Sequence, residues 1–167
     1  MKFSGRVWKV GDDINTDLIL PSPVLMLPSS EYTKHMFRAN RPGWAQQVQR
    51  GDILVGGRNF GTGSSRPAPK VMKDLGLACL LAESINGLFF RNCVNTAFPA
   101  LEVPGIAEAF EEGDIAEVEF ELCRVKNLRT SKELVGKKWP PVLLGILQNG
   151  GIIEMLEAEG LLLPKDG

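Results

Sequence analysis

At 167 residues, with 44% apolar and 23% charged side chains, the chain has the size and composition of a globular domain that buries one substantial core. A formal net charge of −1, without any Lys/Arg block, excludes the electrostatic footprint of a nucleic-acid binder, and no apolar run approaches the ~18 residues a membrane span needs. The start, Met1-Lys2-Phe3-Ser4-Gly5-Arg6, lacks the apolar stretch of a signal peptide, so a cytoplasmic location is expected.

Phe3 to Val10 alternates loosely and predicts an opening strand. Gly11 to Asp17 is a polar turn rich in side chains that bond their own backbone, and Leu18-Ile19-Leu20 reads as a short strand stopped by Pro21 and Pro23. From Pro21 to about Pro42 regular patterning is lost. Its apolar run Val24-Leu25-Met26-Leu27 favours a lid or specificity loop over disorder. A short helical turn is expected over Trp44–Val48 and a buried strand over Ile53–Val55. Pro67 suits the first position of a helix that runs to Leu75 and stops at Gly76, and Leu77–Ala82 follows as a strand. Strand, helix and strand at this spacing predict a right-handed βαβ unit.

Ser84 is a candidate cap for a second helix whose Ile85, Leu88, Phe89, Val94 and Ala97 share one face. Phe98–Val103 resumes the sheet, and the alternation from Asp114 to about Leu128 predicts a β-hairpin with one wet face. Pro140 and Pro141 open a last helix that Gly150-Gly151 breaks before Ile152, Ile153 and Leu156. The expected class is α/β, with parallel core strands and the hairpin as an added β layer.

Cys79, Cys93 and Cys123 lie far apart in apolar stretches and read as reduced core residues, and His35 is the only histidine. A chain so equipped has little with which to build a metal site, so any metal it uses is expected to come from elsewhere.

The turn Gly61-Thr62-Gly63-Ser64-Ser65-Arg66 carries the candidate chemistry. Its glycines let backbone pass close to a ligand, the following helix aims unpaired N–H groups there, and the planar fork of Arg66 matches a carboxylate bidentately. The Lys-Ser/Thr of a phosphate loop is absent, and Arg66 stands where a dinucleotide fingerprint has its third glycine. The site therefore points to a small anionic ligand.

The run Gly51-Asp-Ile-Leu-Val-Gly-Gly-Arg-Asn-Phe-Gly-Thr-Gly-Ser-Ser-Arg66 resembles the swivelling domain of the aconitase superfamily, and most nearly the small subunits of 3-isopropylmalate dehydratases. Asn15-Thr16-Asp17, Ala82-Glu83-Ser84 through Phe90-Arg91-Asn92, and Glu112-Gly113-Asp114 agree in order and spacing, so the resemblance covers nearly the whole chain. It implies a β/β/α three-layer swivelling domain over 1–167, with a specificity loop at about 21–42. It implies Ser64 as the base that removes a proton from the carbon beside a carboxylate, with Ser65 and Arg66 binding substrate. Asp17 would support a histidine of a larger chain. That chain, the large catalytic subunit, would carry a [4Fe–4S] cluster as Lewis acid, and this one would bind no cofactor.

Family members commonly read Gly-Ser-Ser-Arg-Glu-His-Ala-Pro, whereas this chain reads Gly63-Ser64-Ser65-Arg66-Pro67-Ala68-Pro69, so the helix must start differently. Where relatives acting on tricarboxylates place an arginine, this chain has Val24, Leu25 and Met26, which favour a hydroxy-dicarboxylate with an alkyl substituent. Arg38 and Arg41, later in the loop, offer charge for a more polar substrate. Three functions remain open from sequence: a small subunit isomerising isopropylmalates, one acting on a related alkylmalate, and a carboxylate-binding module without catalysis.

Overall fold

The computed structural model of the chain describes residues 1–162. Strand β1 (Lys2–Lys9) organises it, because its two halves pair with different neighbours. Lys2–Arg6 run antiparallel to β5 (Ile115–Glu119), whereas Val7–Lys9 run parallel to β2 (Ile53–Gly56). On one side the sheet grows through β3 (Cys79–Ala82) and β4 (Ala100–Glu102), all parallel. On the other it grows through β6 (Arg124–Asn127) and β7 (Glu133–Val135), both antiparallel, giving the order β4-β3-β2-β1-β5-β6-β7. Gly5 permits the changeover: a Cβ there would lie 2.0 Å from the Gly51 carbonyl oxygen.

Strands β2 and β3 are buried along their whole length, as parallel strands covered on both faces must be. On one face Leu54, Leu80 and Ala100 pack with Val71 and Met72 of α2 (Ala68–Leu75) and with Phe89 and Cys93 of α3 (Gly87–Asn95). On the other, Val7, Ile53, Val55 and Leu81 share a core with Val118 and Val125 of the antiparallel strands, with Ile106 of α4 (Ile106–Ala109) and with Leu147 of α5 (Pro141–Gln148). The result is helices, a parallel β layer and an antiparallel β layer joined through one shared strand. After β7 the chain returns to the far edge, where Trp139 Nε1 donates to the Ala100 carbonyl at 2.9 Å. The break at Gly150-Gly151 separates α5 from α6 (Ile152–Ala158).

Two local expectations are corrected. Leu18 and Ile19 belong to a single helical turn, α1 (Thr16–Ile19), that Leu20 closes as C-cap, and not to a strand, because the Asn15 side chain accepts from Leu18 N at 2.9 Å and starts a helix. The cap of α3 is Asn86, whose Oδ1 accepts from Leu88 N at 3.0 Å. Ser84 is already used, its Oγ accepting from Asn59 N at 2.9 Å. The Trp44–Val48 segment forms turns without a regular helix, and α4 and β7 are elements too short to leave a periodic signal. The three cysteines are free and buried, and burial pushes the thiols of Cys79 and Cys93 up.

Asp114 pins the base of the hairpin. Its carboxylate is buried and accepts from Arg129 Nε at 2.6 Å, Asn127 Nδ2 at 2.7 Å and Glu111 N at 2.9 Å. Arg129 first, then the Glu111 amide and Asn127, hold this carboxyl far below the usual range against the opposing effect of burial. A carboxyl so depressed binds protons in the unfolded chain before it does in the folded one. Its contribution to stability is therefore present above pH ~4 and is lost as pH falls. Urea titrations from pH 6 to 3 are expected to show this decline. Asp114→Asn should cost about 1–3 kcal/mol at pH 6 and flatten the acid slope.

Candidate active site

Because β1, β2 and β3 are parallel, the segments that leave them emerge at one edge of the sheet. Residues after β1 meet those after β2 through backbone hydrogen bonds, Thr16 N to Thr62 O at 2.8 Å and Gly61 N to Ile14 O at 2.7 Å. Residues after β3 join from the other side, with Phe60 N donating to Ser84 O at 3.0 Å and Asn86 N to Phe60 O at 2.8 Å. Gly61 has φ +81°, and a Cβ there would stand 2.2 Å from the Phe89 ring. Gly63 has φ +107°, and its Cβ would press on Thr16 Oγ1 at 2.9 Å. These two glycines are required for the turn to lie against both neighbours.

On this frame Arg66 is the hub. Its Nε donates to Ser64 Oγ at 3.2 Å, Nη1 to Asp17 Oδ1 at 3.0 Å and to the Leu20 carbonyl, and Nη2 to Ser22 Oγ at 3.0 Å. Asp17 Oδ1 also accepts from Ser22 N at 3.0 Å and Ser22 Oγ at 2.9 Å. A guanidinium only donates and a carboxylate only accepts, so the Ser22 hydroxyl must take a bond from Arg66 and give its proton to Asp17. The Ser22 hydroxyl, the Ser22 amide and then Arg66 keep the Asp17 carboxyl below its usual range. Asn92 Nδ2 donates to Ser65 Oγ at 3.1 Å, fixing the second serine from α3.

The site residues expected from sequence therefore fall into distinct positions. Ser64 and Ser65 stand exposed on the turn, and Ser64 has a guanidinium N–H on its oxygen, the contact that favours an alkoxide. Asp17 is 62% exposed at its side chain, and its Oδ2 has no partner among the described residues. The free bidentate fork expected of Arg66 is corrected. Four of its five N–H groups are engaged internally, leaving one on Nη2 for a ligand. The helix-end contribution is also smaller than expected. Pro67 caps α2 and Pro69 is its second residue, so two positions that would present N–H groups have none.

The loop is corrected in part as well. Val24 is fully buried in the core and packs rather than meeting substrate, while Leu25 is half-buried and Met26 is 88% exposed. The 3₁₀ turns Ser22–Met26 and Ser29–His35 and the buried Met36 and Phe37 tie the loop down. Arg41 faces elsewhere, bound by both guanidinium nitrogens to Glu112 at 2.7 Å, whereas Arg38 is exposed. Ser22, Asn92 and the Leu20 carbonyl are site members that sequence did not single out. Asn92 sits within one of the motif segments, but nothing marked Ser22 within its loop. Among the described residues no group of three or more His, Cys, Asp or Glu is placed to hold a metal ion, and no helix is long and apolar enough to cross a membrane.

Gly61→Ala is expected to cost at least about 2–3 kcal/mol, since the added methyl meets both the Phe89 ring and an unfavourable φ. Thermal melting checks this, and a variant as stable as the parent would show that the turn is not held as described.

Known proteins are similar to this chain in sequence and fold. Residues 26–105 match the aconitase C-terminal domain family. The chain is 40% identical to 3-isopropylmalate dehydratase small subunit 1 of Methanopyrus kandleri, with 93% of each chain covered. It is 41% identical to the isopropylmalate/citramalate isomerase small subunit of Methanocaldococcus jannaschii, over 93% of this chain and 94% of the other. The crystal structure of 3-isopropylmalate dehydratase from Methanocaldococcus jannaschii superposes with a TM-score of 0.90 at 29% identity, covering both chains completely.

Proposed function

The chain belongs to the 3-isopropylmalate dehydratase small-subunit family, and from that premise we propose that it is the small subunit of a hydro-lyase interconverting 2- and 3-isopropylmalate by dehydration and rehydration. The observation that carries the reading is the exposed Ser64 hydroxyl with Arg66 Nε at 3.2 Å, on a turn that stands open at the surface.

In this proposal Ser64 takes the proton from the carbon beside a substrate carboxylate as the hydroxyl leaves the adjacent carbon, and it returns a proton to that adjacent carbon when the hydroxyl of water adds to the first. A serine hydroxyl is a weak base, so negative charge developing on its oxygen needs a fixed donor, which Arg66 Nε supplies without moving. The remaining Nη2 N–H of Arg66 and the Ser65 hydroxyl hold the carboxylate. Asp17, with Oδ1 spent internally, offers Oδ2 to a group of the large subunit. The alkyl branch of the substrate lies against the apolar stretch around Leu25 and Met26.

The family implies an iron–sulfur cluster, but the three cysteines here do not fit one. Cys93 lies in the core on one face of the parallel sheet, Cys79 and Cys123 in the core on the other, and all are buried. We therefore assign the cluster to the large subunit, where it would supply Lewis-acid chemistry at the leaving hydroxyl. What remains to this chain is the proton and the carboxylate. The name of the Methanocaldococcus jannaschii relative pairs isopropylmalate with citramalate, so a smaller alkylmalate is the second substrate to test.

The test is reconstitution with a matched large subunit and a panel of alkylmalates. Ser64→Ala should lower turnover by about 10²–10⁴-fold while subunit assembly is unchanged. Unchanged turnover would remove Ser64 as the base. Met26→Arg should shift selectivity about tenfold or more from alkylmalates toward homologous tricarboxylates. Competition assays read this directly, and a fixed ratio would remove the loop as determinant.

A further inference from the structure

Ser22 opens the loop that ends its first turn at Met26, and among the described residues its hydroxyl makes the one hydrogen bond between a side chain of that turn and Arg66. It touches the site three times: its amide and hydroxyl both donate to Asp17 Oδ1, and its oxygen accepts from Arg66 Nη2. Asp17, Ser22 and Arg66 thus close a ring, since Arg66 Nη1 returns to the same Asp17 oxygen. Ser22 is exposed and belongs to no core cluster, so packing gives no reason for a hydroxyl here.

We propose that Ser22 is a positioning residue: its hydroxyl holds the Arg66 guanidinium against Ser64 and so couples the substrate-facing loop to the reacting turn. The inference rests on the hydro-lyase reading of this site. Hydrogen-bond direction makes the coupling specific. The ring needs a group that accepts from a cation and donates to an anion at the same atom, which a hydroxyl does and a methyl or an amide nitrogen does not. Two residues on, the buried Val24 anchors the other side of the turn, so Leu25 and Met26 follow a segment fixed at Ser22 and at the core. A loop displaced by the wrong substrate would pull on Arg66 through this bond, and through Arg66 on the Ser64 oxygen.

Ser22→Thr and Ser22→Val have the same shape and differ only in the hydroxyl. In the reconstituted pair, Ser22→Val should lower kcat/KM for the preferred alkylmalate about tenfold, while Ser22→Thr stays within about twofold of the parent. Both should melt with the parent, because the residue is exposed. A second measurement uses the full chain alone, with ¹⁵N-labelled arginine. The Arg66 Nε–H should exchange slowly with water in the parent and in Ser22→Thr, and quickly in Ser22→Val. Equal behaviour of Thr and Val in either measurement overturns the inference, as a bulk effect of substitution would give. If the two variants separate in exchange but the parent pair converts no alkylmalate, the hydro-lyase reading fails and the hold of Ser22 on Arg66 stands.

Discussion

Everything at the candidate site depends on β1 running parallel to β2. That pairing, Val7 with Ile53 through Lys9 with Val55, sends the chain after β1 and the chain after β2 out over the same edge. β3, parallel to β2, delivers Ser84 to Asn92 there as well. The carboxyl edge of a parallel sheet is where backbone turns leave strands together, and ligand sites in α/β folds gather there for that reason. The first half of β1, paired antiparallel with β5, carries the hairpin to the opposite side of the sheet order and leaves the edge uncovered. One strand thus separates the antiparallel layer from the edge that carries the candidate site.

At that edge the chain uses its polar groups sparingly. Arg66 satisfies Ser64, Asp17, Leu20 and Ser22 at once, so a cationic side chain only 11% exposed is fully accounted for save one N–H. Asp17 keeps one oxygen for this ring and presents the other. In the proposed function the exposed hydroxyls of Ser64 and Ser65, the open Oδ2 and the single N–H form one side of a site that the large subunit completes. That incompleteness agrees with the small-subunit names of its relatives. Side chains rather than the α2 end dominate the candidate site, because Pro67 and Pro69 remove donors that a helix start ordinarily supplies.

Much of this was legible in the sequence. Parallel strands at Ile53–Val55 and Leu77–Ala82, the α2 stop at Gly76 and the hairpin after Asp114 follow from apolar period, glycine placement and alternation, which act within a few residues. The glycine turn with Ser64 and Arg66 was equally visible, as was the Asn15-Thr16-Asp17 segment through family resemblance. Leu18-Ile19-Leu20 was misread because three apolar residues carry no period, and the Asn15 cap decided the conformation. Ser84 and Asn86 are both competent caps. Only the nearness of Asn59 N, a long-range contact, took Ser84 out of competition.

Local sequence, then, determined which residues could do chemistry: a hydroxyl on a glycine turn, an arginine beside it, a carboxylate in a polar turn. Tertiary structure decided how many of their bonds were still free. Hydrogen-bonding capacity is finite, and its allocation depends on which segments meet. Arg66 looked like an open fork until Asp17, Leu20 and Ser22, more than forty residues away in the chain, were seen to claim it. Val24 looked like a substrate contact until the core closed over it. Ser22 carried no mark at all, because its role exists only where an anion and a cation from distant turns come within reach of one hydroxyl.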